Sequence, residues 1–147
     1  MKTLNFTTFI NAPREKVYKI MLEDETYRKW TAVFCPGCYY KGDWSEGSRI
    51  IFLGPDPKNG EEGGMVARIA KNTPNEYVSI EHLGEIKNGV EDLWPEGKGG
   101  FENYTFIEKD GGTEVEVELT NMPEEYAGMF EDMWPKALTA LKDLVEN

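Results

Sequence analysis

Cysteine, histidine and positive charge are all scarce in this chain, which holds two cysteines and one histidine and sets 16 Lys and Arg against 27 Asp and Glu. Two cysteines cannot staple a disulfide scaffold. With one histidine and no second cysteine pair, the chain also falls short of the roughly four ligands a structural zinc site needs. We therefore expect no metal and no cofactor. The formal net charge of −11 sets up a field that repels phosphate backbones and anionic lipid, so neither nucleic acid nor a membrane surface is an expected partner. Long apolar runs are missing too: no stretch approaches the ~18 apolar residues of a membrane span. Met1 to Phe6 carries one positive charge without the apolar run of about 7–15 residues that follows it in a secretory leader. The expected compartment is the cytoplasm.

What is present is the material of a core. Apolar residues make up 39% of the 147, with four Trp, seven Tyr and seven Phe. A chain of this size buries about 68–70% of its unfolded surface, enough to fold without metal or cross-links. No repeat, low-complexity tract or linker interrupts it, so residues 1–147 read as a single domain.

Residues 3–11 alternate as a strand, and Asn11-Ala12-Pro13 ends it, with Asn11 or Ala12 as cap and Pro13 as first helical residue. Val17, Ile20, Met21 and Leu22 mark a short helix, and Glu23-Asp24-Glu25 leads into a second over Thr26 to Trp30. Strands follow at Tyr39-Tyr40, Arg49 to Leu53, Met65 to Ala70 and Glu76 to Leu83, with a turn-rich connection over Gly54 to Gly60 and a polar loop from Lys87 to Gly100 around Trp94. Phe101 to Glu108 and Thr113 to Thr120 form a hairpin across Lys109-Asp110-Gly111-Gly112. Val115, Val117 and Leu119 alternate with Glu114, Glu116 and Glu118, giving one buried and one wet face. The chain then closes in a helix, with Asn121 as cap, Pro123 opening it, and Tyr126, Phe130, Met133, Ala137, Leu141 and Leu144 as its stripe. Pro135 predicts a kink or break near Asp132 to Trp134. The class is α+β: a curved antiparallel sheet of about six or seven strands, two short helices after the first strand, and a long C-terminal helix across the Val115–Leu119 face. A bent sheet cannot touch one helix everywhere, so the gap between them is a candidate pocket.

Asn11-Ala12-Pro13-Arg14-Glu15-Lys16-Val17-Tyr18 followed by Tyr27-Arg28-Lys29-Trp30 resembles the opening of START-like (SRPBCC, helix-grip) domains, in particular the branch named after the activator of heat shock protein 90 ATPase. The likeness continues through Gly42 to Ser48, Tyr77 to Glu81, Thr105 to Val115 and Met133 to Leu141, nearly the whole chain in order. The resemblance implies the helix-grip fold and a cavity for an apolar or amphipathic small molecule. Its relatives include lipid carriers, polyketide cyclases and aromatases, and it brings no universal catalytic motif. Within 147 residues no separate N-terminal chaperone-docking domain is expected. Cys35-Pro36-Gly37-Cys38 and the loop around Trp94 depart from the general family pattern.

The candidate ligand-binding residues are Trp30, His82, Tyr104, Phe130, Met133 and Trp134; no catalytic residue is assigned. The four tryptophans offer broad stacking walls. His82 follows Val78 and Ile80 at period two, so its ring shares their face, while Glu81 points away. There it orients a ligand carbonyl, serves as a general base, or simply sits hydrogen-bonded in the wall. Trp94, in a loop of acidic residues, glycine and proline, reads as a lid, a contact surface or edge packing. The Cys35/Cys38 pair reads as incidental thiols, a redox pair or half a metal site. Three functions follow. The first is binding of a hydrophobic small molecule between helix and sheet. The second is a cyclase- or hydrolase-like enzyme using His82 and a tyrosine such as Tyr104. The third is a modulator of a partner protein such as a chaperone. A homodimer is a further expected assembly.

Overall fold

The computed structural model of the protein describes residues 2–56 and 59–147. Pro57 and Lys58, in the expected turn-rich connection, lie outside the described residues, as does Met1. The elements run β1 (Lys2–Ile10), α1 (Arg14–Leu22), α2 (Asp24–Trp30), a 3-10 turn (Thr31–Val33), β2 (Tyr39–Gly42), β3 (Arg49–Pro55), β4 (Glu62–Thr73), β5 (Tyr77–Lys87), β6 (Val90–Leu93), β7 (Phe101–Lys109), β8 (Gly112–Met122) and α3 (Glu124–Glu146). Among the described residues the strands form one eight-stranded antiparallel sheet in the order β1-β8-β7-β5-β4-β3-β2, with β6 branching from β5.

Period-two burial sets the concave face. Val78 and Ile80 on β5, Tyr104 and Phe106 on β7, and Val115, Val117 and Leu119 on β8 are buried, opposite Leu4 and Ile10 of β1. The β4–β5 pairing slips twice, between Val66 and Ala67 and between Ile69 and Lys71. Such extra residues bend the bulged strand and raise its local twist. At the first slip β5 also changes partner: Tyr77–Glu81 pair with β7, whereas Gly84–Lys87 pair with β6. His82 and Leu83 stand at that fork.

The long helix is amphipathic, and each fully buried aliphatic side chain on it contributes about 1.5–3 kcal/mol. Its buried residues are Ala127, Trp134, Ala137, Leu138, Leu141 and Val145. This stripe corrects part of the sequence expectation: Tyr126 is half exposed, and Met133 and Leu144 are only partly buried. The helix backbone comes closest to β1, α1, α2 and the 3-10 turn, and its Trp134, Ala137, Leu138 and Leu141 share one core with Val115, Val117 and Leu119 of β8. Its C-terminal half is tied to the end of β1, where Lys142 Nζ donates to the Phe9 carbonyl at 2.6 Å and the Asn11 N–H donates to Glu146 at 2.9 Å.

Three local expectations shift. The caps of α1 and α3 are the prolines themselves, Pro13 and Pro123, because β8 runs on through Asn121 to Met122. Proline's fixed φ suits the residue just outside a helix as well as the first one inside it. Pro135 interrupts nothing: α3 is continuous through it. Pro135 is exposed, so the carbonyl freed by its missing N–H can meet water. The loop from Lys87 to Gly100 contains a strand, β6, whose four residues are all exposed and so lack a burial signature.

Candidate functional site

Between the open end of the sheet and the N-terminal half of α3 lies a cavity of about 1020 Å³. Its apolar wall is organised around Trp134. That indole lies 5.1 Å from the Phe34 ring, 5.9 Å from Trp30, 6.1 Å from Tyr104 and 6.2 Å from Phe6, centroid to centroid. Phe130, one helical turn earlier, reaches Phe34 at 6.3 Å. A second aromatic group, Tyr27, Tyr40, Trp44 and Phe52, backs onto the first through the edge-on Tyr27–Trp30 contact at 5.5 Å.

The rings are held by their polar handles. Trp30 Nε1 donates to the Met21 carbonyl at 3.0 Å, and Tyr40 Oη and Trp44 Nε1 both donate to the Leu22 carbonyl at 2.7 and 2.9 Å. The last turn of α1 thus fixes the tilt of three rings that belong to other elements. Buried Tyr and Trp need such partners, and each one made restricts the ring to one orientation.

The rim is built by close backbone approach. Cys35 and Cys38 are disulfide-bonded and form part of the cavity wall, so neither sulfur is a free thiolate in this state. Both sulfurs press on Gly54 of β3, where a Cβ would come within 2.6 Å of each. At the other side of the mouth a Cβ on Gly99 would meet the His82 carbonyl oxygen at 1.9 Å, and the His82 N–H donates to the Gly100 carbonyl at 3.0 Å. Glycine there lets the returning chain clamp the backbone of the fork residue. Trp94 lies at this mouth, its ring against Gly99.

Within the apolar wall three polar side chains meet. Tyr104 Oη donates to Glu102 Oε2, and Glu102 Oε1 lies 3.5 Å from His82 Nε2. Among the described residues His82 Nδ1, which is buried, has no hydrogen-bond partner. Burial raises the Tyr104 phenol well above its ordinary value, and the Glu102 charge beside it adds to the shift. Tyr27 is raised in the same way, first by burial and then by Glu102 and Tyr40. Both phenols therefore stay protonated as hydrogen-bond donors far into alkaline solution. An oriented carboxylate, an imidazole and neutral phenols in a largely apolar wall can hold a polar group of a ligand or move a proton at it.

Of the six residues singled out from sequence, Trp30, His82, Tyr104, Phe130 and Trp134 line this cavity, and Met133 does not. Met133 lies one position round the helix from Trp134, and Met129 takes a place on the wall instead. Glu81, on the opposite face of β5 from its neighbours, pairs with Arg68 at 2.5 Å. Glu102 was not singled out. Its signal lies in period two with Tyr104 and Phe106, which puts the carboxylate on the buried face of β7.

The sequence profile described as Activator of Hsp90 ATPase homolog 1-like protein matches residues 11–146. No curated protein matches the chain. Among solved structures, a protein from Cytophaga hutchinsonii is similar at 27% identity and a TM-score of 0.72, covering 100% of this chain and 95% of that one. The Aha1 dimer from Colwellia psychrerythraea shares 23% identity at a TM-score of 0.73, covering 99% and 97%. A Chromobacterium violaceum protein shares 18% identity at a TM-score of 0.72, covering 100% and 99%. The last two likenesses are likenesses of fold.

Proposed function

Because the chain belongs to the family of Activator of Hsp90 ATPase homolog 1-like proteins, we propose that its cavity takes up a small apolar or amphipathic molecule. One observation carries the reading: a space of about 1020 Å³ walled by aromatic rings, with a few polar groups converging on one side. Binding pockets of about 300–1,000 Å³ with that division of labour are the usual sites for small molecules. Trp30, Phe34, Phe130 and Trp134 would stack the apolar body, and His82, Glu102 and Tyr104 would meet its polar end. Residues 1–147 act in this reading as one helix-grip domain in the cytoplasm, where the reducing pool would keep Cys35 and Cys38 as thiols for much of the time. A homodimer is part of the reading, on the analogy of the Aha1 dimer. Among the described residues no helix is long and apolar enough to cross a membrane.

Native mass spectrometry of freshly purified protein tests this directly. The expected spectrum shows an adduct of a few hundred daltons that is lost on denaturation. A bare chain mass, together with no change in tryptophan fluorescence on adding apolar aromatic compounds, would sink the reading.

The contact of Tyr104, Glu102 and His82 favours a second reading, an acid–base enzyme of the cyclase or hydrolase kind. Glu102 would orient the imidazole, and His82 would accept a proton from the bound molecule. The test is conversion of the co-purified compound on incubation. Conversion lost in His82→Ala while binding persists supports it; conversion unchanged in that variant ends it. A modulator of a partner protein would present an exposed apolar patch in a molecule without a cavity, so the cavity speaks against that reading.

A further inference from the structure

The polar cluster in the cavity wall is centred on one carboxylate. Glu102 places a carboxylate on the cavity wall with its side chain about one-fifth exposed. Among the described residues no Lys or Arg nitrogen lies within ion-pair distance of it; its only such neighbour is His82, a cation only when protonated. Lys87 and Lys98 also line the cavity, together with Glu61 and Glu85, and neither lysine pairs with Glu102. An ionised carboxylate has about four acceptor sites, and the protein supplies the Tyr104 hydroxyl and, at 3.5 Å, one imidazole nitrogen. Removing such a group from water is costly unless a partner of opposite charge is close.

Beside that carboxylate the wall is aromatic. Tyr104 touches it, Trp134 lies 6.1 Å from Tyr104, Trp30 lies 5.9 Å from Trp134, and Tyr27 lies 5.5 Å from Trp30. Tyr27 is buried and lies close enough to Glu102 to feel its charge. A carboxylate flanked by electron-rich rings is an environment for a cation, which gains both a charge-assisted hydrogen bond and attraction to the ring faces. An anionic head such as a fatty-acid carboxylate would meet like charge there. The net charge of −11 draws cations toward the molecule and repels anions before contact.

We infer that the ligand is a cationic amphiphile: an apolar, ring-containing body carrying a protonated amine that docks on Glu102 beside Tyr104. This rests on the cavity being a binding site, as proposed above, and names the chemistry of what enters it.

Three probes with one naphthyl body separate the two ideas: naphthylmethylamine, naphthylmethanol and naphthoate, titrated by calorimetry into the full chain at about 150 mM salt, where long-range attraction is largely screened. The amine should bind about 10- to 100-fold more tightly than the alcohol, the range a charge-assisted hydrogen bond gives, with naphthoate weakest. Glu102→Gln keeps the size of the side chain and a carbonyl for Tyr104; it should bring amine and alcohol within about twofold of each other while leaving the alcohol unchanged. Glu125→Gln, at the exposed start of α3, should keep the full preference and controls for surface charge. If the alcohol binds and the amine binds no better, or if the preference survives in a Glu102→Gln protein with unaltered thermal unfolding, the cationic assignment is overturned and the cavity reading stands. If none of the three probes binds, both fall together.

Discussion

One sheet and one helix build two ends of this molecule that differ in kind. At the closed end Ile10, Val17, Met21, Leu138, Leu141, Val145 and Val115 are at or near zero exposure, all aliphatic, and no polar side chain of a candidate site intrudes. At the open end the same elements present rings and leave a cavity of about 1020 Å³ among them, with a carboxylate and an imidazole in its wall. At the closed end aliphatic side chains interdigitate to crystal-like density, whereas at the open end rings pinned by directional hydrogen bonds line a space that they do not fill. The closed end supplies stability, and it lets the open end stay imperfectly packed.

The sharpest way to break that contrast is to cut matched holes in the two ends. Leu141→Ala in the closed end should lower stability by about 2–5 kcal/mol, a fall in Tm of roughly 4–20 °C for a chain of this size. Phe130→Ala at the open end, where the side chain is already partly exposed and borders empty space, should cost less than half as much. Thermal unfolding followed by circular dichroism measures both. Equal losses would mean that the open end is as tightly packed as the other, and the distinction would go.

The two ends were also unequally legible in the sequence. The closed end follows from periodicity: Val115 and Val117 alternate, Ala137 and Leu141 recur at helical spacing, and both pairs lie where the pattern puts them. The errors on α3, Tyr126, Met133 and Leu144 for Ala127, Trp134 and Val145, come from sliding a stripe by one residue, which a helix rich in apolar residues on neighbouring positions permits. At the open end local pattern runs out. The fork at His82 exists because β5 exchanges one partner strand for another, a nonlocal event, and β6 is wholly exposed and carries no apolar alternation to announce it. Glu102 was hidden by its company: in an acidic chain a glutamate on a strand reads as a solvated face, and only its register with Tyr104 and Phe106 says otherwise.

A smaller effect should come from the rim. The Cys35–Cys38 bond closes a loop of four residues, and chain-entropy arguments give so short a loop at most about 2 kcal/mol. Reduction should therefore shift Tm by under about 8 °C. The change should be local: hydrogen exchange should quicken around residues 34–39, whose Phe34 stacks on Trp134 and Phe130, while amides of the Leu138–Val145 turns keep their protection. Loss of protection in both regions would show that the rim and the closed end unfold as one unit.

The smallest effect is absent at neutral pH and tests how dry the open end is. Tyr27 and Tyr104 are both raised well above the ordinary tyrosine value, chiefly by burial. In the unfolded chain they ionise near pH 10, whereas in the folded protein they hold their protons to higher pH. Between those two points the native state binds more protons than the unfolded one, so the contribution of these phenols to stability is fully present below about pH 10 and is lost as pH rises through the folded values. Absorbance titration should show two of the seven tyrosines ionising last, together with unfolding, and Tyr104→Phe should remove one of them and flatten the alkaline loss of stability. If all seven titrate together near the ordinary value, water already fills the wall around Glu102, and the carboxylate there needs no cation from a ligand.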